Sequence, residues 1–265
     1  MSRNAEGKVV VITGASAGIG AATAALFAQR GATVVALNRR DIPDLECIKT
    51  DVADAQAVQA AVDETIRRHG KIDILVCNAG MGISGAAEST PEEAVRKIFE
   101  LNFFGVLNSV RAVVPHMRKA GAGTIVTVSS VAAELSIPFQ SFYSATKSAV
   151  SSLSDALRIE LAPFGIKVTS VLPGDVRTDF TASRQKNTAD DPAYGDRVAR
   201  SVAVMERDEK NGMPPSVIAR DIFRVATMKN PPVRKIGGTK YKVLVAVAKT
   251  LPRRAVSFIL GKLYG

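Results

Sequence analysis

The chain has 265 residues, of which 46% are hydrophobic, with two cysteines and no tryptophan. This length and composition fit one globular domain with a substantial core, and two cysteines exclude a disulfide framework and a metal-ligand cluster. The formal net charge of +10 lies in residues 222–265, which hold ten Lys and Arg and no acid, whereas residues 1–221 hold 25 of each sign. A nucleic-acid binder would instead carry basic and stacking residues along one whole surface, so we expect no nucleic-acid partner.

The chain shows no sign of a targeting or membrane-spanning segment. No run approaches the roughly 18–20 apolar residues that a bilayer requires. The opening sequence MSRNAEGKVVVITG reaches a strand-like run without the apolar stretch of a signal peptide. We therefore expect a cytoplasmic protein, and the basic tail leaves peripheral contact with a membrane open as an alternative.

Apolar runs alternate with Ala-rich segments of helical period, which is typical of repeated βα units. Near-continuous β-branched runs indicate strands buried on both faces, and therefore a parallel sheet. The sequence predicts an α/β fold with a Rossmann-like doubly wound parallel sheet and helices on both faces. The predicted strands are 8–13, 33–37, 47–49, 72–77, 124–129 and 166–172, and the predicted helices are 19–30, 54–69, about 91–120 with an interruption near 103–105, and 141–162.

The C-terminal third has a looser pattern. Residues 179–215 are polar and predict a mobile loop with no more than one helix. Residues 240–265 resemble two short amphipathic helices hinged at Pro252. We expect a single domain over residues 1–265, with the cofactor and catalytic core in 8–180 and a substrate loop and basic helical extension in 181–265.

A glycine-rich turn, Thr13-Gly14-Ala15-Ser16-Ala17-Gly18-Ile19-Gly20, joins the first predicted strand to the first predicted helix. Glycines let the backbone turn sharply and approach a pyrophosphate, while the helix N-terminus offers N–H groups and a positive dipole end. A glycine-rich turn by itself is a weak signal, but its place in a βαβ unit predicts a dinucleotide site.

The second predicted strand ends in Asn38-Arg39-Arg40, where the adenine ribose of a dinucleotide would lie. An acid there would bind the ribose hydroxyls and repel a 2′-phosphate, and this sequence has none. Arg39 offers a planar, permanently charged fork that suits phosphate. The alternative is a pair of solvated surface arginines. We expect NADP(H) as cofactor, with NAD less favoured.

Tyr143 and Lys147 are four residues apart and therefore share one helix face. A free tyrosine has a pKa of roughly 10, and a neighbouring ammonium favours the phenolate, so Tyr143 is a candidate general acid/base. Such a pair often occurs by chance. Ser130, however, follows the fifth predicted strand, whose carboxyl end faces the same crevice as the glycine turn.

These motifs together resemble the short-chain dehydrogenase/reductase family over residues 8–180. They are TGASAGIG, the Asp51-Val52 pair, CNAG, Asn102 in LNFFG, Ser130, YSATK and PGDVRT. The NAGMGISG and SIPFQSFYSATK stretches also resemble the steroid- and retinol-type branch of that family. Cys77 stands where the family often has asparagine, which we interpret as a packing substitution.

The resemblance implies roles for individual residues. Tyr143 would be the general acid/base, and Ser130 would form a hydrogen bond with the substrate oxygen. Lys147 would hold the nicotinamide ribose and lower the pKa of Tyr143. Asn102 would kink a helix and anchor a proton-relay water. The catalytic set is thus Asn102, Ser130, Tyr143 and Lys147. The cofactor set is Gly14, Ser16, Gly18, Ile19, Gly20, Arg39, Arg40, Asp51, Val52, Asn78, Ala79, Gly80, Tyr143, Lys147, Pro173, Gly174, Val176 and Thr178, and no metal is expected.

The expected function is interconversion of a secondary alcohol and a ketone on a lipophilic small molecule. Apolar residues in 131–139 and at Met81, Ile83 and Ala86 are expected to line its pocket. The alternative is a dinucleotide-binding regulator or scaffold without significant turnover. We expect a homodimer or homotetramer. The tail is interpreted as a lid over the pocket, as a subunit interface, or as a peripheral anchor on an anionic membrane.

Overall fold

A computed structural model describes residues 4–186 and 192–265. Its main sheet has seven parallel strands in the order β3-β2-β1-β4-β6-β7-β9, and a two-stranded ribbon pairs β5 with β8. The strands are β1 Val9–Thr13, β2 Thr33–Asn38, β3 Glu46–Lys49, β4 Ile74–Cys77, β5 Ile83–Ser84, β6 Gly123–Val128, β7 Ile166–Pro173, β8 Gln185–Lys186 and β9 Arg234–Gly237. The order reverses between β1 and β4, which is the switch point of a doubly wound sheet.

Helices cover both faces of the sheet. They are α1 Gly18–Gln29, α2 Ala55–His69, α3 Glu92–Phe99, α4 Gly105–Ala120, α5 Ser141–Leu161, α6 Phe180–Ser183, α7 Arg197–Lys210, α8 Pro215–Ala226, α9 Thr239–Thr250 and α10 Arg253–Tyr264. Helices α2, α4 and α5 pack through one apolar cluster, and α1 and α8 pack through a second. The expected Rossmann-like α/β fold, with helices on both faces, is confirmed.

The buried strands explain the parallel architecture. Every residue of β1 and β4 is buried, so each of these strands meets helices on both sides. The rings of Phe27 on α1 and Phe223 on α8 pack 5.0 Å apart and join the two helices on one face. Cys77 is 1% exposed, and burial raises the pKa of its thiol to about 12, as befits a core residue.

The C-terminal third is more regular than its sequence suggests. The predicted loop at 179–215 contains α6, β8 and α7, while its residues 187–191 lie outside the described residues. Neither α8 nor β9 was predicted; β9 is a strand of four residues that begins with Arg234 and Lys235 and shows no clear alternation. Strand β9 pairs with β7 and completes the sheet. The two tail helices and the hinge at Pro252 agree with the sequence.

None of the helices in the described part of the chain is long and apolar enough to cross a membrane.

Candidate active site

A cavity of about 510 Å³ lies at the carboxyl ends of the parallel strands. Its walls come from the segments that follow β1, β2, β4, β6 and β7, together with α5, α6, α7 and the last turn of α10. These segments meet because parallel strands bring their carboxyl ends to one edge of the sheet. All but two of the candidate site residues line this one cavity, the exceptions being Gly20 and Asn102.

The glycine turn after β1 forms a cradle that only glycine fits. Gly14 has φ +69°, and a Cβ there would lie 2.8 Å from the Cα of Ala79. The N-cap residue of α1 is Ala17, whose side chain cannot accept a hydrogen bond, and the first turn has no acidic residue, so no side chain caps the N–H groups of this turn. Ala17, Gly18 and Ile19 line the cavity. This arrangement fits the pyrophosphate of a dinucleotide.

Gly20 does not line the cavity. It is buried beneath the turn, where a Cβ would lie 2.1 Å from the carbonyl oxygen of Gly14 and 2.5 Å from Nδ2 of Asn78. Asn78 Nδ2 donates to the carbonyl oxygens of Thr13 and Gly14, at 3.1 and 2.9 Å. Because Gly20 has no side chain, α1 packs closely on the turn. The role of Gly20 is therefore packing rather than contact with a ligand.

The turn after β2 presents two arginines to the cavity. Asn38 Nδ2 donates to the carbonyl oxygen of Arg40 at 2.9 Å, which fixes the backbone of this turn. Arg39 and Arg40 are exposed and line the cavity, and neither forms an ion pair with a described acid. This end of the cavity is therefore positive. Asp51 and Val52 line the wall beside it.

Asn78, Ala79 and Gly80 follow β4 and line the neighbouring wall. The hydroxyl oxygen of Thr13 accepts the backbone N–H groups of Asn78 and Ala79, both at 3.0 Å. The end of β4 is thereby tied to the glycine turn. From the sequence, Thr13 is only the first residue of the glycine-rich motif. Its role in joining the two loops could not be predicted, because its partner Asn78 is 65 residues away in the chain.

Ser130, Tyr143 and Lys147 lie together in the middle of the cavity. Ser130 Oγ accepts the backbone N–H of Ala132 at 3.1 Å and forms a hydrogen bond with Tyr143. Lys147 is 5% exposed, its Nζ donates to the carbonyl oxygen of Val128 at 3.0 Å, and it lies 5.7 Å from the centre of the Tyr143 ring.

Ser129, the neighbour of Ser130, has a different function in the structure. Its hydroxyl donates to the carbonyl oxygen of Lys147 at 2.9 Å and shares a 2.8 Å hydrogen bond with Ser151. Ser129 thus holds α5 against the end of β6, while Ser130 lines the cavity beside Tyr143.

The pKa values correct one expectation. Burial raises the pKa of Tyr143 to about 12, although the hydrogen bond from Ser130 lowers it in part. Burial also lowers the pKa of Lys147 to about 8. The expected lowering of the Tyr143 pKa by Lys147 is absent here, because desolvation dominates and the ammonium bonds to Val128.

Asn102 lies behind the cavity in a π-helical segment, Glu100–Phe104, between α3 and α4. It is fully buried. Its Oδ1 accepts the N–H of Met81 at 2.8 Å, and its Nδ2 donates to the carbonyl of Met81 at 3.0 Å and to Thr146 Oγ1 at 3.2 Å. The segment departs from α-helical geometry as expected, but Asn102 joins the loop after β4 to α5 and does not reach the cavity.

The loop after β7 closes the far side of the cavity. Pro173, Gly174, Val176 and Thr178 all line it, as the sequence indicated. A Cβ on Gly174 would lie 2.1 Å from the Tyr241 ring, so glycine here lets α9 pack against the loop. A Cβ on Gly18 would likewise lie 3.1 Å from Thr178, which shows how closely this loop approaches the glycine turn.

Several lining residues were not identified from the sequence. Phe180 packs its ring 5.6 Å from that of Tyr143, and Asp175 accepts a hydrogen bond from the hydroxyl of Tyr241. Met205 and Glu209 come from α7, and Tyr264 comes from α10. Asp175 lies within the PGDVRT motif, which was a usable signal. Nothing local to α7 or α10 indicates that those helices reach the site.

The expected apolar walls are half correct. Val131, Ala132 and Ile137 line the cavity, whereas Met81, Ile83 and Ala86 do not. Ile83 belongs to the ribbon with β8 and packs in a separate cluster with Ala94 and Ile98. That pairing turns the stretch after β4 away from the cavity.

Comparisons with known proteins agree with this geometry. The model of the short chain dehydrogenase family matches residues 8–189. The 3-ketodihydrosphingosine reductase of Bacteroides thetaiotaomicron is 39% identical, over 97% of this chain and 98% of that protein. Dehydrogenase/reductase SDR family member 7B of Danio rerio is 32% identical, over 88% of this chain and 79% of that protein.

Solved structures agree as well. A short-chain dehydrogenase from Streptomyces avermitilis is 33% identical with a TM-score of 0.85, over 94% of each chain. A short-chain dehydrogenase from Burkholderia cenocepacia, solved with NADP, is 26% identical with a TM-score of 0.77, over 97% of this chain and 99% of the other. A 3-ketoacyl-(acyl-carrier-protein) reductase from Brucella melitensis, solved with NADH, is 29% identical with a TM-score of 0.73, over 88% and 98%.

The family match covers more than half of the chain, and the fold, the glycine cradle and the cavity fit a nicotinamide dinucleotide. The protein is therefore an oxidoreductase that belongs to the short-chain dehydrogenase/reductase family.

Proposed function

We propose that the protein is an NADP(H)-dependent oxidoreductase that interconverts a secondary alcohol and a ketone on a lipophilic small molecule. We further propose that its substrate is a long-chain 2-amino ketone of the 3-ketodihydrosphingosine type, which it reduces. One observation carries this proposal: a single cavity is lined by two arginines, by Ser130, Tyr143 and Lys147, and by both acidic and apolar residues.

The preference for NADP(H) rests on Arg39 and Arg40. Both line the cavity at the end of β2 without an ion-pair partner among the described acids, so their charge is available to a 2′-phosphate. The Burkholderia cenocepacia and Brucella melitensis neighbours were solved with NADP and NADH respectively, so both cofactors occur among similar folds. The arginines favour the phosphorylated one.

The catalytic residues suit reduction of a ketone. A reduced nicotinamide, when bound, supplies a hydride to the carbonyl carbon. Tyr143 Oη gives its proton to the carbonyl oxygen, which becomes the hydroxyl oxygen of the product, and the tyrosine is later reprotonated from solvent. Ser130 Oγ accepts from Ala132, and its own O–H, which bonds to Tyr143 in the structure, would turn to donate to the same carbonyl oxygen. A Tyr143 pKa of about 12 keeps the phenol protonated at neutral pH, which favours proton donation.

Lys147 and Asn102 position this proton donor. Lys147 uses one of its three donors on Val128, which leaves two for ribose hydroxyls of the cofactor. Asn102 acts through the backbone of Met81 and through Thr146, a neighbour of Lys147 on α5. We propose that it sets the position of α5 relative to the loop after β4.

The amino-ketone substrate rests on the chemistry of the far wall. Asp175, Asp179 and Glu209 also line the cavity. Glu209 is paired with Arg184, and Asp175 accepts from the neutral hydroxyl of Tyr241, so Asp175 and Asp179 are the carboxylates proposed to attract the amine. A primary amine beside a ketone is attracted to such a wall, whereas a phosphorylated substrate is repelled. Val131 and Ile137 provide apolar contacts for an alkyl chain. The similarity to 3-ketodihydrosphingosine reductase gives the substrate class its name.

The direct test is turnover of 3-ketodihydrosphingosine with NADPH, followed as loss of reduced cofactor and gain of two hydrogens in the product by mass spectrometry. A long-chain ketone without the amine is the matched substrate. Asp175→Asn is expected to raise KM for the amino ketone roughly tenfold or more, because a hydrogen bond to a charged group contributes about 1.5–3 kcal/mol. KM for the amine-free ketone is expected to stay unchanged.

Two outcomes would contradict the proposal in different ways. Tight NADPH binding without turnover of any ketone favours the alternative of a regulator or scaffold. Equal turnover of both ketones by parent and variant retains the reductase but removes the amine from its recognition.

The cofactor preference has its own test. Arg39→Asp is expected to shift the ratio of kcat/KM for NADPH over NADH toward NADH by roughly tenfold or more, because it replaces a phosphate contact with a like charge. Arg220→Asp, at an exposed position on α8 outside the cavity, is the matched control. A parent enzyme that already prefers NADH would show that Arg39 and Arg40 are only solvated surface residues.

We also propose that the protein forms a homodimer or homotetramer. The exposed large apolar side chains outside the tail include Phe104 just before α4, Ile159 on α5, and Phe164 just after α5. Ile159 is 77% exposed, which is unusual for its size. Ile159→Arg is expected to lower the molar mass seen by light scattering, and an unchanged mass would place the contact elsewhere.

A further inference from the structure

The two C-terminal helices carry a concentration of unpaired positive charge. Residues 222–265 contain ten Lys and Arg and no acid. Arg234, Lys235 and Lys249 form ion pairs with acids of the main body. Lys240, Lys242, Arg253, Arg254 and Lys262, all exposed and all on α9 or α10, form no ion pair with a described acid. This charge therefore faces outward and is available to a partner.

The same two helices expose an unusual amount of apolar surface. Six of the eleven large apolar side chains that are exposed in the described chain lie on them: Val243, Leu244, Val247, Phe258, Ile259 and Leu263. A seventh, Leu251, lies in the link between the two helices. On α9, Val243 and Val247 are four residues apart and therefore share one face. Phe258, at 67% exposure on α10, has the ammonium of Lys262 5.9 Å from its ring centre.

The opposite faces of these helices are packed against the protein. Tyr241 and Val245 on α9 are buried with Val131 and Leu135, and Val256 and Leu260 on α10 pack against the same cluster. Each helix thus has an inner apolar face that the core covers and an outer apolar face that nothing in the described chain covers. A helix that only closed the pocket would need the inner face alone.

The exposed surface is continuous with the cavity. Tyr264, in the last turn of α10, lines the cavity, and Leu263 beside it is 54% exposed. Tyr241 on α9 bonds to Asp175 in the cavity wall. A flat apolar surface that met α9 and α10 would therefore lie next to the cavity.

We propose that the outer face of α9 and α10 docks on an anionic phospholipid bilayer. The apolar side chains that enter the headgroup region are Val243 and Val247 on α9, Leu251 in the link, and Phe258, Ile259 and Leu263 on α10. The Lys and Arg side chains that pair with no described acid contact lipid phosphates. The contact is peripheral and reversible, and it places the cavity at the membrane surface. The proposal does not depend on the substrate or the cofactor.

Charge decides between a bilayer and a second copy of the chain. Two copies joined through this face would bring two clusters of unpaired cations together without an intervening acid. An anionic lipid surface has the opposite charge and matches the mixed apolar and basic pattern.

The test is co-sedimentation of the full-length protein with two kinds of vesicle. One contains phosphatidylcholine alone, and the other contains phosphatidylcholine with about 30% of the anionic lipid phosphatidylglycerol. Binding is expected only to the anionic vesicles, and it is expected to fall severalfold as NaCl rises from about 0.05 to 0.5 M, because salt screens the attraction.

Two pairs of variants separate the contributions of charge and apolar surface. Lys242→Glu/Arg254→Glu is expected to abolish binding, while Lys97→Glu/Lys119→Glu, with the same charge change at exposed positions of α3 and α4, is expected to retain it. Phe258→Ser/Ile259→Ser is expected to weaken binding at low salt. These side chains are exposed, so a thermal unfolding curve is expected to match that of the parent.

The outcomes are decisive in both directions. Salt-sensitive binding that the α9–α10 variants remove and the α3–α4 variants retain supports the proposal. Absence of binding at low salt, or binding that the α9–α10 variants leave intact, overturns it. A fall in molar mass with Phe258→Ser/Ile259→Ser, together with no vesicle binding by the parent, would show that this face joins two copies of the chain.

Discussion

At the scale of single residues, burial controls the chemistry of the candidate site. Tyr143 and Lys147 are shifted in opposite directions, since burial disfavours the phenolate of one and the ammonium of the other. The carbonyl of Val128 compensates the ammonium in part, and Ser130 bonds the phenol. The site therefore favours a protonated tyrosine beside a lysine whose pKa is lowered to about 8.

Tyr143→Phe is expected to lower turnover by at least about a hundredfold, the usual contribution of a general acid. NADPH binding, measured by fluorescence or calorimetry, is expected to remain nearly unchanged, because the phenyl ring still packs on Phe180. Activity within about tenfold of the parent would remove Tyr143 from the role of proton donor.

Lys147→Met tests the cost of burying the ammonium in the cofactor-free protein. The folded pKa of Lys147, about 8, lies below its ordinary value of 10.5. Between these two pH values Lys147 binds more protons in the unfolded chain than in the folded one. Its contribution to the free energy of unfolding of the parent therefore rises with pH, by up to about 1.4 kcal/mol per pH unit. The methionine variant lacks this rise.

Urea unfolding of parent and variant at pH 7, 8, 9 and 10 measures the difference directly. The free energy of unfolding of Lys147→Met minus that of the parent is expected to be greatest at pH 7 and to decline above pH 8. Groups that titrate equally in both proteins do not contribute to this difference. A difference that does not depend on pH would show that Lys147 keeps an ordinary pKa.

At the scale of elements, close packing positions the cofactor-binding segments. The end of β1, the start of α1 and the end of β4 meet around Gly14, Gly20 and Asn78, where backbone approaches backbone without intervening side chains. The π-helical segment between α3 and α4 also positions a loop. Its altered helical register directs Asn102 toward Met81 and Thr146. Element contacts of this kind hold the loops that line the cavity.

Gly20→Ala is expected to destabilise the protein by about 1–3 kcal/mol and to weaken NADPH binding, because its Cβ would meet the backbone of Gly14. Gly261→Ala is the matched control, since it lies in α10 with nothing within 4 Å of the added Cβ. The control is expected to be neutral or to stabilise by roughly 0.5–1 kcal/mol through helix propensity. Equal effects of the two substitutions in chemical denaturation would contradict this packing role.

At the scale of the whole molecule, the C-terminal third completes the sheet and adds residues to the lining of the cavity. Strand β9 adds the seventh strand, α8 covers a face of the sheet beside α1, and α7 and α10 bring Glu209 and Tyr264 to the cavity. Arg234 on β9 bonds to Glu134 and Asp155 and anchors this region to the body.

Truncation after Thr250 removes α10 with Tyr264 and is expected to raise KM for the ketone while the Kd for NADPH stays nearly unchanged. The residues expected to bind the cofactor lie at or after the ends of β1, β2, β3, β4 and β7 or on α5, whereas α10 contributes Tyr264, which is not among them. Steady-state kinetics and cofactor titration on the same preparation separate the two quantities. An unchanged KM would show that α10 is not part of the substrate wall.

The sequence by itself determined the fold class and most of the cofactor side of the site. The β-branched runs, the glycine turn and the Tyr143–Lys147 spacing are local patterns, and local patterns specify strands, turns and helix faces. All of the candidate residues except Gly20 and Asn102 do line one cavity, because parallel strands place their carboxyl ends together.

Only the tertiary structure decided which segments of the C-terminal third line the cavity and how the pKa values of Tyr143 and Lys147 shift. Asp175, Glu209 and Tyr264 meet through the packing of β7, α7 and α10, which are far apart in the chain, so no local spacing predicts their encounter. The high pKa of Tyr143 likewise arises from the protein that surrounds it and cannot be read from a lysine four residues away. Desolvation is a property of the assembled interior, which exists only after distant segments have packed.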